Sequence, residues 1–208
     1  MQVKALRLTG AILGREGFTG EVRMGTQELT ELLRTMRSVR RFAPKPVDEE
    51  AVRGILEVGR WTGSAKNTQP WELLLVRDQG TLRTLATLGQ FADHLAGAPM
   101  AVLLIMNSAA NRFDAGRLAE RLMLGGWAYG VGSCIASLFP EENEAQAKQL
   151  LGVPSDRDLR TAISFGYPAD EAALRVSQKP GRLSTLPLGR KPLDELVHVE
   201  QFGTHSLR

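Results

Sequence analysis

Apolar positions fall at helical spacing in several separate stretches of the chain. In TQELTELLRTMR, Leu29, Leu32, Leu33 and Met36 share one face behind a polar cap at Thr26, which predicts a helix beginning there. Val52, Ile55, Leu56 and Gly59 do the same in VDEEAVRGILEVGRW, with Asp48 as its cap. WELLLV from Trp71 and the apolar run MAVLLIM from Met100 read as buried strands, with a helix around residues 80 to 90 between them. From Asp114 to Gly132, Ala115, Leu118, Ala119, Leu122, Met123, Gly126, Trp127 and Gly130 form one stripe and predict a long central helix. A further helix over EENEAQAKQLL precedes a strand in RTAISFGYP. Helices therefore interleave with three or four strands, in an α/β or α+β pattern.

Residues 1–25 follow neither period. The expected organisation is an N-terminal extension over 1–25, either a mobile arm or an over-extended start, ahead of a single domain over 26–208. No internal repeat, low-complexity tract or Pro/Gly/Ser-rich divider interrupts that domain.

The 208 residues are 43% hydrophobic, 24% charged and 6% aromatic, which supplies one core and argues against extensive disorder. The longest apolar run falls far short of a bilayer, and the opening MQVKALRLTG lacks the apolar centre of a secretory signal. The expectation is a cytoplasmic protein with no membrane partner. A lone cysteine, Cys134, forbids an internal disulfide, and three separated histidines offer no zinc-ligand spacing, so no metal is expected. With apolar neighbours and no adjacent histidine, Cys134 reads as a buried, inert thiol, while His94, His198 and His205 read as structural or exposed.

The net charge of +3 matters less than where the charges sit. Arg34, Arg37, Arg40, Arg41 and Lys45 follow one another with no acid between them, as do Arg175, Lys179, Arg182, Arg190 and Lys191. No helix-turn-helix, zinc finger or aromatic-interleaved basic patch accompanies them. Beside the plain alternative of solvated faces, a small anion fits better than nucleic acid.

No G-x-G-x-x-G follows a strand and no P-loop signature occurs. MRSVRRFAPKPV places Arg37, Ser38 and Arg40 where a helix ends. There the guanidinium groups and the hydroxyl can converge on a phosphate, or the cations can complement the helix dipole, and the residues alone leave both readings open. GSAKNTQPW gathers Ser64, Lys66, Asn67, Thr68 and Gln69, a donor and acceptor set suited to the edge of a planar heterocycle, or else an ordinary polar loop ahead of a strand. In YGVGSCIASLF, Gly130 and Gly132 permit close backbone approach, and the amides around Ala136 and Ser137 can face a ligand. LGRKPLDELV sets Arg190 and Lys191 before a proline-initiated helix.

Taken in order, R-S-V-R-x-F, S-A-x-N-x-Q-P-W, G-x-G-S-C, F-G-Y-P and G-R-K-P-L-x-E-L-V-H resemble the nitroreductase family of FMN-dependent oxidoreductases, from about Thr26 to Gln201. The resemblance implies an α+β fold, with a central, mostly antiparallel sheet between helices, and an intertwined homodimer with FMN sites at its interface. It implies that Arg37, Ser38, Arg40, Arg190 and Lys191 hold the FMN phosphate. Ser64, Asn67 and Gln69 of the neighbouring copy would reach the ribityl chain and the ring's polar edge, and Ile135, Ala136 and Ser137 would lie beside the ring near N5. NADH or NADPH would donate hydride, and a nitroaromatic, quinone or similar molecule would accept it, with no catalytic side chain required. The alternatives are a relative specialised for dehalogenation or flavin breakdown, and a non-enzymatic flavin-binding protein.

Two departures qualify that pattern. Met36 stands where many relatives carry a further arginine, which implies one phosphate contact missing or replaced. GQFADHLAGAP and NSAANRFD are short beside the family's gating insertions, which implies an open pocket with a broad acceptor preference.

Overall fold

The computed structural model describes residues 25–107, 112–170, 174, 181–183, 186–188 and 190–204. The expected extension over 1–25 lies outside them apart from Gly25, as do Arg175 and Lys179 of the second basic run. Contacts divide the chain between Ala173 and Leu174 into two units. The first contains α1 (Thr26–Thr35), α2 (Glu49–Arg60), β1 (Trp71–Val76), α3 (Gln79–Thr87), β2 (Gly89–Gln90), β3 (Met100–Met106), α4 (Arg112–Ala128), β4 (Gly132–Leu138), α5 (Glu141–Leu151) and β5 (Asp158–Gly166). Its strands form one sheet in the order β1-β3-β5-β4-β2, with every pairing antiparallel, so the architecture is α+β.

The pleat of β3 explains why MAVLLIM is apolar at every position. Ala101, Leu103 and Ile105 meet Leu82 and Leu85 of α3 on one face. Met100, Val102, Leu104 and Met106 meet Ile55 of α2 and Leu118 and Leu122 of α4 on the other, so successive side chains enter two separate cores.

The central helix is shorter than its apolar stripe predicts. It stops at Ala128, where Gly130 takes φ 71° and the N–H groups of Gly130 and Val131 return to the carbonyls of Trp127 and Gly126 (3.1 and 2.9 Å). That pair of bonds is a Schellman cap, and it frees Gly132 to start β4. Asp48 precedes α2 as expected but caps nothing with its side chain; its Oδ2 accepts from Tyr167 Oη at 2.7 Å instead. α1 has no buried residue, and Leu29 and Leu33 on its apolar face are exposed.

The second unit contains an antiparallel ribbon of β6 (Gly181–Leu183) and β7 (Leu186–Leu188), then a single helical turn, α6 (Leu193–Leu196), opening at Pro192. Among the described residues no helix is long and apolar enough to cross a membrane, and no group of His, Cys, Asp and Glu could hold a metal ion.

Candidate functional site

The segment from Arg37 to Ala43 is stitched onto two strands of the sheet. Val39 N–H donates to Ser133 O (2.8 Å), and Ser38 and Ser133 form an isolated parallel bridge at the start of β4. Ala43 N–H donates to Tyr167 O (2.8 Å) and Ala169 N–H to Arg41 O (3.0 Å), which ties the same segment to the F-G-Y-P turn leaving β5. Both approaches need glycine: a Cβ on Gly132 would meet Val39 Cγ2 at 2.6 Å, and one on Gly166 would meet Phe42 Cδ1 at 2.8 Å. Val39 is the buried peg, at 1% exposure, which leaves Ser38 and Arg40 on the open side.

The arginines predicted to act together are used differently. Arg37 Nη1 donates to the carbonyls of Arg34 and Met36 (3.1 and 2.8 Å) at the end of α1, the helix-capping role left open by the sequence. Arg40 is exposed and, among the described residues, joins no ion pair. The rest of the basic run is partly neutralised, since Arg41 pairs with Asp170 at 2.9 Å and Lys45 with Asp48 at 3.5 Å.

Further along β4, side chains alternate between core and cavity. Cys134, Ala136 and Leu138 are buried, while Ile135 and Ser137 are exposed. These two open on a cavity of about 290 Å³ with Leu104 and Met106 of β3 and Ala115 and Ala119 of α4 in its floor. Charged Arg112, Asp158 and Arg160 stand around it; Arg112 belongs to the NSAANRFD stretch, while Asp158 and Arg160 are not among the predicted site residues. Ala136, grouped with its neighbours in the sequence reading, turns its methyl to the opposite core and offers this face only its backbone.

Behind β4 is a buried polar arrangement that no motif announces, because its members are 70 residues apart. Ser164 Oγ donates to Cys134 O (3.3 Å) and lies 2.8 Å from His94 Nδ1. The imidazole of His94 thus shares a short buried hydrogen bond with Ser164. Burial pushes the His94 pKa down, and the charge of Arg40 adds to this, while the backbone of Ile135 works in favour of its charged form. Burial pushes the Cys134 thiol up, against the pull of Arg40 and Ser38, as suits an inert cysteine.

The polar loop ahead of β1 holds itself. Lys66, Asn67 and Gln69 have φ of 52°, 54° and 46°, three left-handed non-glycine residues within four positions. Ser64 Oγ accepts from Gln69 N–H (2.8 Å) and Thr68 Oγ1 donates to Ala65 O (3.1 Å). The Ser64 hydroxyl thus shapes the turn, while the side chains of Asn67 and Gln69 stay exposed. Arg190 and Lys191 are exposed residues of the second unit, directly before the proline that opens α6.

The structure therefore joins Ser38 and Arg40 to the strand that carries Ile135 and Ser137, and presents Asn67 and Gln69 on a separate exposed loop. Known proteins share this plan. The model of the nitroreductase family matches residues 33–102 and 90–167. A putative NADH dehydrogenase/NAD(P)H nitroreductase of Archaeoglobus fulgidus is 27% identical over 70% of this chain and 88% of its own length. The nitroreductase NfnB of Mycolicibacterium smegmatis is 30% identical over 74% of this chain and 88% of its own. Among solved structures, an FMN-dependent nitroreductase from Clostridium difficile superposes with a TM-score of 0.69, at 23% identity, over 83% of this chain and 99% of that one. On the family match and on the mycobacterial relative, the chain belongs to the nitroreductase family.

Proposed function

We propose that the protein is an FMN-dependent oxidoreductase that passes hydride from NADH or NADPH to a small planar acceptor such as a nitroaromatic or a quinone, and that it works as a homodimer. The observation that carries this reading is the sheet edge. It places an exposed hydroxyl and an exposed cation, Ser38 and Arg40, at the head of the strand whose Ile135 and Ser137 open on a largely apolar cavity. A mononucleotide asks for an anion site at one end and a flat apolar surface at the other; Ser38 and Arg40 fit the first, and the exposed Ile135 beside the backbone of Ala136 fits the second, which leaves the cavity itself for the acceptor. The names of the relatives support the donor and the cofactor, being an NAD(P)H nitroreductase and an FMN-dependent enzyme.

FMN, when bound, supplies the centre that takes and gives up hydride; the chain binds and orients it. Ser38 and Arg40 donate to the phosphate. Arg37 adds its charge while one of its nitrogens holds α1; for Arg190 and Lys191 the family resemblance of the G-R-K-P pattern alone proposes a phosphate-binding role. Met36, in place of a further arginine, lowers the affinity for FMN. Asn67 and Gln69 of a neighbouring copy steady the polar edge of the ring, with Ser64 shaping their loop. A second copy also accounts for apolar surface that one chain leaves uncovered, at Leu29, Leu33 and Phe113 (44%, 50% and 78% exposed).

Anaerobic spectroscopy tests the proposal. The purified protein should show flavin absorption that bleaches with NADH or NADPH and returns on adding menadione or nitrofurazone. A flavin that neither nucleotide reduces would mean a binding protein without turnover, and a colourless preparation that takes up no FMN would end the reading.

A further inference from the structure

We infer that the cavity beside Ile135 and Ser137 selects acceptors that carry a carboxylate on their ring, held by Arg160 with Arg112 as second cation. This rests on the function proposed above and adds the chemistry of the acceptor to it. The cavity, about 290 Å³, has room for one substituted aromatic ring, and Leu104, Met106 and Ile135 give it apolar walls.

The side chain of Arg160 reaches this face through an irregularity of the sheet. Leu104 pairs with Thr161 and Met106 with Asp158, so two steps along β3 are matched by three along β5. The extra residue is a β-bulge. Bulges re-aim side chains, and here consecutive residues, Arg160 and Thr161, both line the cavity where an unbroken strand would turn one of them away. The Arg160 guanidinium also lies 4.8 Å from the centre of the Phe139 ring. Stacking occupies a face of that group and leaves its in-plane N–H donors in the fork that matches a carboxylate.

The charges around the cavity agree. Asp158, the acid there, gives its Oδ1 to the backbone N–H of Arg160 at 2.9 Å. Among the described residues neither Arg112 nor Arg160 forms an ion pair, so a ligand carboxylate would meet two cations against one acid, whose Oδ1 is engaged by the backbone.

The test compares 4-nitrobenzoate with its neutral isostere 4-nitrobenzamide, binding each to the oxidised flavin-loaded protein and following the perturbation of the flavin spectrum. The acid should bind about tenfold more tightly, in line with one charge-assisted contact. Arg160→Gln should remove most of that preference and Arg112→Gln a smaller part, with amide affinity and flavin content unchanged. Equal affinities in flavin-bearing wild type would overturn this inference and leave the flavin reading intact, whereas protein that binds no flavin would overturn both. A preference that survives in both variants would also overturn it. So would an Arg160→Gln protein that loses flavin while keeping its acid-to-amide ratio, since that assigns the arginine to the cofactor.

Discussion

Two parts of the candidate site are held by opposite means. The segment from Arg37 to Ala43 is fixed from outside, by backbone hydrogen bonds to β4 and to the turn after β5, and by glycines that let it come close. The loop from Gly63 to Pro70 is fixed from within, by short-range bonds around three left-handed residues. The first is scaffold, so the backbone that carries its donors is in place before any ligand arrives and only side-chain ordering entropy is spent on binding. The second stores strain, of order 1 kcal/mol or more for each such residue, which must be offset by what the loop goes on to touch. A rigid anchor for the anionic end and a sprung loop for the ring are the expected division of labour.

The contrast can be broken first at the anchor. Arg40→Ala should weaken FMN binding by about 1.5 to 3 kcal/mol while leaving thermal unfolding unchanged, because the side chain is exposed and unpaired with any described acid. Flavin fluorescence quenching measures the one and a melting curve the other. Next in size is Gly166→Ala, whose new methyl would press on Phe42 and Pro99 Cδ at 2.8 and 2.6 Å. It should cost about 1 to 3 kcal/mol of stability and reduce FMN affinity with it, because the anchor segment must shift. Unchanged stability would show that this edge gives way easily and is not scaffold.

A smaller effect concerns the polar arrangement behind the anchor strand. Burial first, and Arg40 second, hold the His94 pKa below its ordinary 6.5. The unfolded chain therefore takes up a proton before the folded one does as pH falls. Stability contributed by neutral His94 is complete above about pH 6.5 and drains away below it, until the folded-state pKa is passed. Melting temperatures at pH 5 and 7.5 should differ less in His94→Gln, which keeps a hydrogen-bonding group for Ser164 and does not titrate; an identical difference would assign the acid sensitivity to other groups. Smallest is Asn67→Gly in the loop, which should raise stability by less than about 1 kcal/mol by relieving its φ of 54°. A melt at lower temperature would mean that the left-handed backbone carries no strain there.

Much of this plan was legible in the sequence where the signal was local. MAVLLIM is a strand whose apolar run has no polar interruption, WELLLV is one in which only the exposed Glu72 interrupts the run, and the order of motifs from R-S-V-R to F-G-Y-P pointed to the family. The central helix was overdrawn because its stripe runs on through Trp127 to Gly130, although Gly130 followed by Val131 is itself the signature of a helix stop. β2 is only two residues long and exists through its pairing with Ser137 and Leu138, far away in the chain. Arg160 was passed over as the polar entry to a strand, for its position depends on a bulge that only the register with β3 creates. The contact of His94 with Ser164 is equally non-local. Where chemistry depends on which strands become neighbours, composition and spacing hold no record of it.

FMN and riboflavin differ only by the phosphate that Ser38 and Arg40 are expected to hold. Flavin-free protein titrated with each should bind FMN at least about 100-fold more tightly, the size of two or so charge-assisted hydrogen bonds. Equal affinity for the two flavins would contradict a phosphate site on this sheet edge.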